Sequence, residues 1–228
     1  NIAPEALCQD VTVQLDVAGL GSTIAESVDN GSTDACGVAS LVLSKTDFDC
    51  SDVGDVTVTL TVADVNTNTA TCDATVTVED NIAPEAICQD VTVDLDVDGS
   101  GNTTAALVDN GSNDACGIAS LVLSQTAFDC THVGTVAVVL TVTDNNNTST
   151  CDAIVTVEDN IAPEALCQDI TVQLDVNGLG STTAASVDNG SNDACGIASL
   201  VLSQTDFDCI HVGTVAVVLT VTDNNNNT

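Results

Sequence analysis

From Val56 to Val62 the chain reads Val-Thr-Val-Thr-Leu-Thr-Val, a strict apolar–polar alternation. A period of two is that of a strand with one buried face. The same alternation runs through Val11, Val13, Leu15 and Val17, with Thr12, Gln14 and Asp16 between, and through Ala74, Val76 and Val78. Residues 23–28 and the run Ala-Ser-Leu-Val-Leu-Ser at 39–44 read as two further strands. Turn formers separate them, in Ala-Gly-Leu-Gly-Ser at 18–22 and Asp-Asn-Gly-Ser-Thr-Asp-Ala-Cys-Gly at 29–37. No segment carries a helical period. Short strands at this spacing predict an antiparallel sandwich of about 80 residues.

The pattern then repeats. Asn1–Asp80, Asn81–Asp159 and Asn160–Thr228 open on nearly the same words, and residues 81–147 differ from 160–226 at nine positions. The expected fold is all-β, a tandem array of small antiparallel immunoglobulin-like β-sandwiches with domains at 1–80, 81–159 and 160–228. The third copy stops before its last strand. The expectation is a window onto a longer array, with a strand supplied by a neighbouring chain as the alternative.

Composition narrows the function. One Lys stands against 34 Asp and Glu, for a formal net charge of −33. This excludes a basic nucleic-acid footprint, and no apolar run is long enough to insert into a membrane. The residues AVILMFWYC make up 44% of the chain, so a core can form, but with three Phe, no Trp and no Tyr it must be aliphatic and small. Eleven Cys with no C-x-x-C pair point to disulfides and an extracellular or cell-surface location.

Alternating chain direction places the loops. The exit of one copy meets two loops of the next, and the acids collect there. The first junction gathers Glu79, Asp80, Asn81, Asp109, Asn110, Asp114, Asp144 and Asn145. The second gathers Glu158, Asp159, Asn160, Asp188, Asn189, Asp193 and Asp223. Crowded carboxylates repel, and Ca²⁺ takes six to eight oxygen ligands from such a set. Calcium is therefore the expected cofactor, bound between copies. Pro84 and Pro163 stiffen the two linkers.

The same reasoning sets Cys8 and Cys72 at the starts of the first and last strands, both at one end. The expected bridges are Cys8–Cys72 and Cys36–Cys50, Cys88–Cys151 and Cys116–Cys130, and Cys195–Cys209, with Cys167 unpaired. No catalytic residue is expected. His132 and His211 occupy a position that holds Asp52 in the first copy, and no nucleophile-elbow motif occurs.

The strings VEDNIAPEAICQDVTV, VDNGSNDACGIASL, DFDCSDVG and VTLTVADVNTNTATCDATVTVED resemble the hyalin-repeat and related immunoglobulin-like modules of long tandem surface proteins, notably of Bacteroidetes-type bacteria. The linker also resembles the calcium-binding linker of cadherins at Asp80, Asn81, Ala83 and Pro84, with Ile82 inserted. The resemblance implies an extracellular filament or stalk whose partners are further repeats or copies of itself. The alternative is an adhesin-like array binding surface glycans.

Overall fold

The computed structural model describes residues 2–228. They form two compact units. One comprises Asn1–Cys88, Asp109–Val122 and Leu140–Cys151, the other Gln89–Val108, Leu123–Val139 and Asp152–Thr228.

In the first repeat the strands are β1 (Val11–Gln14), β2 (Leu20–Ser22), β3 (Val38–Leu43), β4 (Asp47–Asp49), β5 (Gly54–Asp64) and β6 (Thr69–Glu79), with a helical turn α1 (Ala25–Val28) after β2. A four-stranded sheet has the order β1-β6-β5-β3, and β2 pairs with β4 in a smaller one. The β5–β6 hairpin is antiparallel from Gly54↔Val78 to Ala63↔Thr69. Its inward Val58, Leu60, Val62, Val76 and Val78 are buried, and the threonines between them are exposed or half-buried. Val13, Leu15, Val28, Leu43 and Phe48 complete the core.

β1 runs parallel to β6, Val11 opposite Val76 and Val13 opposite Val78. Just before it, Cys8 bridges to Asp29 and Glu5 to Thr33, on the other side of the repeat. The chain therefore crosses between layers at Gln9–Asp10. Asp10 Oδ1 accepts the Thr75 N–H at 2.7 Å on the way. This crossing explains why Cys8 is out of phase with Val11 and Val13.

Residues 23–28 are not the strand that the alternation predicts. They turn as α1, because Ala25 and Val28 are the residues that reach the core while Ile24 and Glu26 face solvent. Buried positions three apart fit one helical turn; a strand burying Val28 would also bury Glu26.

The second repeat has β7 (Val91–Asp94), β8 (Ser100–Asn102), α2 (Ala105–Val108), β9 (Ser120–Leu123), β10 (Ala127–Asp129), β11 (Gly134–Thr143) and β12 (Thr148–Glu158), in the same order, β7-β12-β11-β9 with β8-β10. The third has β13 (Gly180–Ser181), α3 (Ala184–Val187), β14 (Ile197–Leu202), β15 (Asp206–Phe207) and β16 (Leu219–Asp223). Residues 170–173, equivalent to β1, are not a strand here. An open groove of about 750 Å³, lined by Ile170, Val172, Leu174, Phe207, Val215 and Val217 among others, lies where β6 sits in the first repeat. Val172 and Leu174 are half-exposed, whereas their equivalents Val13 and Leu15 are buried.

Candidate metal centre at the repeat junctions

β6 ends at Glu79, and the next residue, Asp80, turns inward and is 6% exposed. Its Oδ1 accepts the Ile82 N–H at 3.1 Å. One oxygen each of Asp80 and Asp114 and the Sγ of Cys116 lie within 4.8 Å of one another. The second junction repeats the arrangement with Asp159, Asp193 and Cys195. Asp159 is 7% exposed, its Oδ1 accepts the Ile161 N–H, and its Oδ2 is buried with no hydrogen-bond partner. Such an orphaned acceptor is costly unless a cation or water completes it. Cys116 and Cys195 are in disulfides, so the donors suited to a hard cation are the carboxylates.

The other expected ligands do different work. Asp144 is buried, and its Oδ1 accepts the N–H groups of Asn146 and Asn147 at 2.6 and 2.5 Å. Asn147 Nδ2 donates to Asp144 Oδ2, to Asp80 O at 3.1 Å and to Ile82 O at 3.2 Å. The turn thus clamps the linker backbone beside Asp80. Asp223 and Asn227 do the same at Asp159 O. Asp109 and Asp188 accept the N–H groups of Ser112 and Gly111, and of Ser191 and Gly190, within their own loops. Asn110 donates its N–H to Ile87 O, and Asn189 to Leu166 O. Asn81 folds back on the first repeat, donating to Gln14 Oε1 and Glu79 Oε2. Asn160 does so with Asp94 and Glu158. Asn145 is exposed. Asn147 and Asn227 escape a reading by charge. Their signal is the spacing Asp-x-x-Asn or Asp-x-x-x-Asn, in which the amide closes the turn of the carboxylate.

Desolvation opposes the charge on Asp144, but the Asn147 and Asn146 N–H groups and the Asn147 amide outweigh it and hold the pKa below 3.8. Asp223 is lowered against the same burial by Asn227 and its neighbours. A carboxylate with a depressed folded pKa contributes its full stability above the unfolded value and loses it as pH falls through the folded one. Asp144→Asn should therefore flatten the acid limb of stability below pH 3.8. Denaturant melts from pH 2 to 5 check this, and an unchanged acid limb would refute it.

The disulfides revise the junction most. Cys8 joins Cys72 and Cys88 joins Cys151, with Cα separations of 5.8 and 5.9 Å. The expected Cys36–Cys50, Cys116–Cys130 and Cys195–Cys209 bridges do not form. Cys50 instead joins Cys116, and Cys130 joins Cys195, so each bond links one repeat to the next. Direction explains it. Cys36 precedes β3 and Cys50 follows it, and six residues of strand carry the chain about 20 Å, far beyond disulfide reach. The exit end of one repeat meets the loop before the third strand of the next. Gly19 makes room for the meeting. At φ +71° it lies under the bridge, and a Cβ there would come within 2.6 Å of Cys50 Sγ and 3.3 Å of Ala115 Cβ. Cys36, Cys167 and Cys209 are free and exposed.

The two histidines have a local role. Asp129 and Asp208 cap short 3₁₀ turns, and His132 and His211 return the contact, their Nδ1 accepting the Asp129 and Asp208 backbone N–H at 3.2 and 3.3 Å. Asp52 takes the same position in the first repeat, where it also pairs with Lys45. His and Asp exchange here because either closes the cap.

No family model matches the chain, and none of the curated proteins does. Among solved structures, it is similar to the EC1-2 domains of human mucin-like protocadherin at 13% identity, over 68% of this chain and 98% of that one, with a TM-score of 0.37. Drosophila N-cadherin EC1-4 matches at 10% identity, over 69% of this chain and 50% of that one, with a TM-score of 0.36. An endo-fucoidan hydrolase of glycoside hydrolase family 107 matches at 15% identity and a TM-score of 0.27, over 54% of this chain and 23% of the hydrolase. These likenesses concern backbone architecture alone, and on them the chain joins no family.

Proposed function

We propose that the chain is a non-catalytic, extracellular structural array whose domains follow the repeats at 1–80, 81–159 and 160–228, and that Ca²⁺ stiffens its junctions. The carrying observation is the pairing of Asp80 with Asp114 and of Asp159 with Asp193, together with the unpartnered, buried Asp159 Oδ2. Each pair of carboxylates would hold one ion, whose charge would offset their repulsion. The four disulfides support an oxidising, extracellular setting. No described helix is long and apolar enough to cross a membrane. Glycan binding has less behind it, since Phe48 and Phe128 are buried and Phe207 is half-buried. Sugar-stacking platforms need exposed rings.

Calorimetric melting with Ca²⁺ and with EDTA tests the proposal. At a Ca²⁺ concentration of 100 times Kd, each site should add about 2.7 kcal/mol. Asp159→Asn should remove one binding event, and Asp80→Asn with Asp159→Asn should remove both. An identical melt in Ca²⁺ and EDTA, or an undiminished Ca²⁺ response in the double variant, would reject the ion.

A further inference from the structure

The geometry points to Cys209 and Cys36 as the two open halves of one inter-repeat bridge, each made to pair with a further repeat of this same kind set in line. Position by position, Cys209 is the equivalent of Cys50 and Cys130, and Cys36 is the equivalent of Cys116 and Cys195. The structure forms that bond twice, always from the exit-end cysteine of one repeat to the loop cysteine of the next, with Cα separations of 5.1 and 5.0 Å.

The unpaired cysteines are already in the bonding arrangement. Cys209 Sγ sits 3.9 Å from Gly178 O, as Cys50 and Cys130 sit 3.8 Å from Gly19 O and Gly99 O. Gly178 has φ +74°, and a Cβ on it would come within 2.5 Å of Cys209 Sγ, so the same seat exists with nothing docked on it. On the other side, the Cys36 N–H donates to Asp34 Oδ1 at 2.7 Å, the distance found for Cys116 on Asp114 and Cys195 on Asp193. Neither loop needs the bridge to take its shape. Both thiols are exposed. Because the two halves differ, the pairing has a direction, Cys209 to Cys36 and not like to like, and a heterologous contact of this kind can repeat without closing.

Each new bond oxidises two thiols. Two electrons and two protons pass to a small-molecule disulfide, which leaves as two thiols after exchange through a mixed disulfide. The inference rests on the bridges and not on calcium, and EDTA is present throughout its test.

The chain carrying Cys167→Ser is oxidised with glutathione disulfide and run without reductant, with peptide mapping of the bonds. A ladder at multiples of 22.9 kDa, joined by Cys209–Cys36 peptides, identifies a second copy as the source. Cys36→Ser or Cys209→Ser should then reduce the ladder to glutathione-capped monomer. In a second arm, residues 1–228 are followed by a copy of residues 70–228, and Cys209 should bond to the copy's Cys116. Bonding in this arm alone identifies the next repeat of a longer chain as the source. Free or glutathione-capped Cys209 in both arms, or like-to-like pairs as frequent as Cys209–Cys36, overturns the inference.

Discussion

Replacing Cys8 and Cys72 together with alanine is expected to cost the first repeat about 4 kcal/mol. The bond closes a loop with a sequence separation of 64. In the chain-entropy account a loop of that length loses about 4 kcal/mol of denatured-state freedom at 25 °C, and the folded geometry is otherwise unchanged by two small side chains. The loss is large against what the repeat has in reserve. Its core is Val, Leu and Ala with Phe48 as the one aromatic ring, and a domain of this size is stable by only a few kcal/mol. The variant should show a separate, early transition for the first repeat. Far-UV circular dichroism in denaturant is the readout, because the chain has no Trp or Tyr for fluorescence. A loss below about 1 kcal/mol would contradict the entropic role given to the bridge.

Leu60→Ala is expected to cost about 3 kcal/mol. Leu60 has no exposed surface and lies mid-strand in β5, opposite Cys72 on β6 and Leu43 on β3. Truncation leaves a cavity between two sheets that are hydrogen-bonded on both sides of the site, so the walls cannot collapse to fill it. Val42→Ala on the neighbouring strand is the control. Val42 is 59% exposed, and its loss should stay within about 0.5 kcal/mol. Similar losses for the two would show that the inward face of β5 has been misassigned.

Much of this architecture is legible in the residues themselves. The alternation from Val56 to Val62 marks β5 and its buried face, and chain direction alone brings Cys8 to Cys72. What escapes has a common cause. Local pattern reports a residue's own element, whereas Cys50 finds its partner at Cys116 in the following copy. Asp144 illustrates the same limit at the junction. Its charge marks it as a ligand, yet its oxygens accept from Asn146 and Asn147, and it holds the turn whose Asn147 amide clamps the linker. Asp80 and Asp159 are buried, with a carboxylate oxygen near one of Asp114 and of Asp193 respectively. The helical turn at Ala25–Val28 is missed because four residues are too few to display a period.

The parallel pairing of β1 and β6 has a mechanical consequence. Tension along the chain enters a repeat at the start of β1 and leaves at the end of β6, so it shears the hydrogen bonds between them instead of unzipping them one by one. The Cys8–Cys72 bond goes further and carries the load straight across to β6. Of the chain between those two cysteines, residues 9–49 lie off the load path, while the stretch from Cys50 to Cys72 is tied to the next repeat through Cys116. A repeat of 80 residues would otherwise extend to roughly 270 Å; with the bond in place, the backbone route through it is its two short end segments, about 55 Å. The repeat behaves as a tether of nearly fixed length, even when its sandwich has come apart.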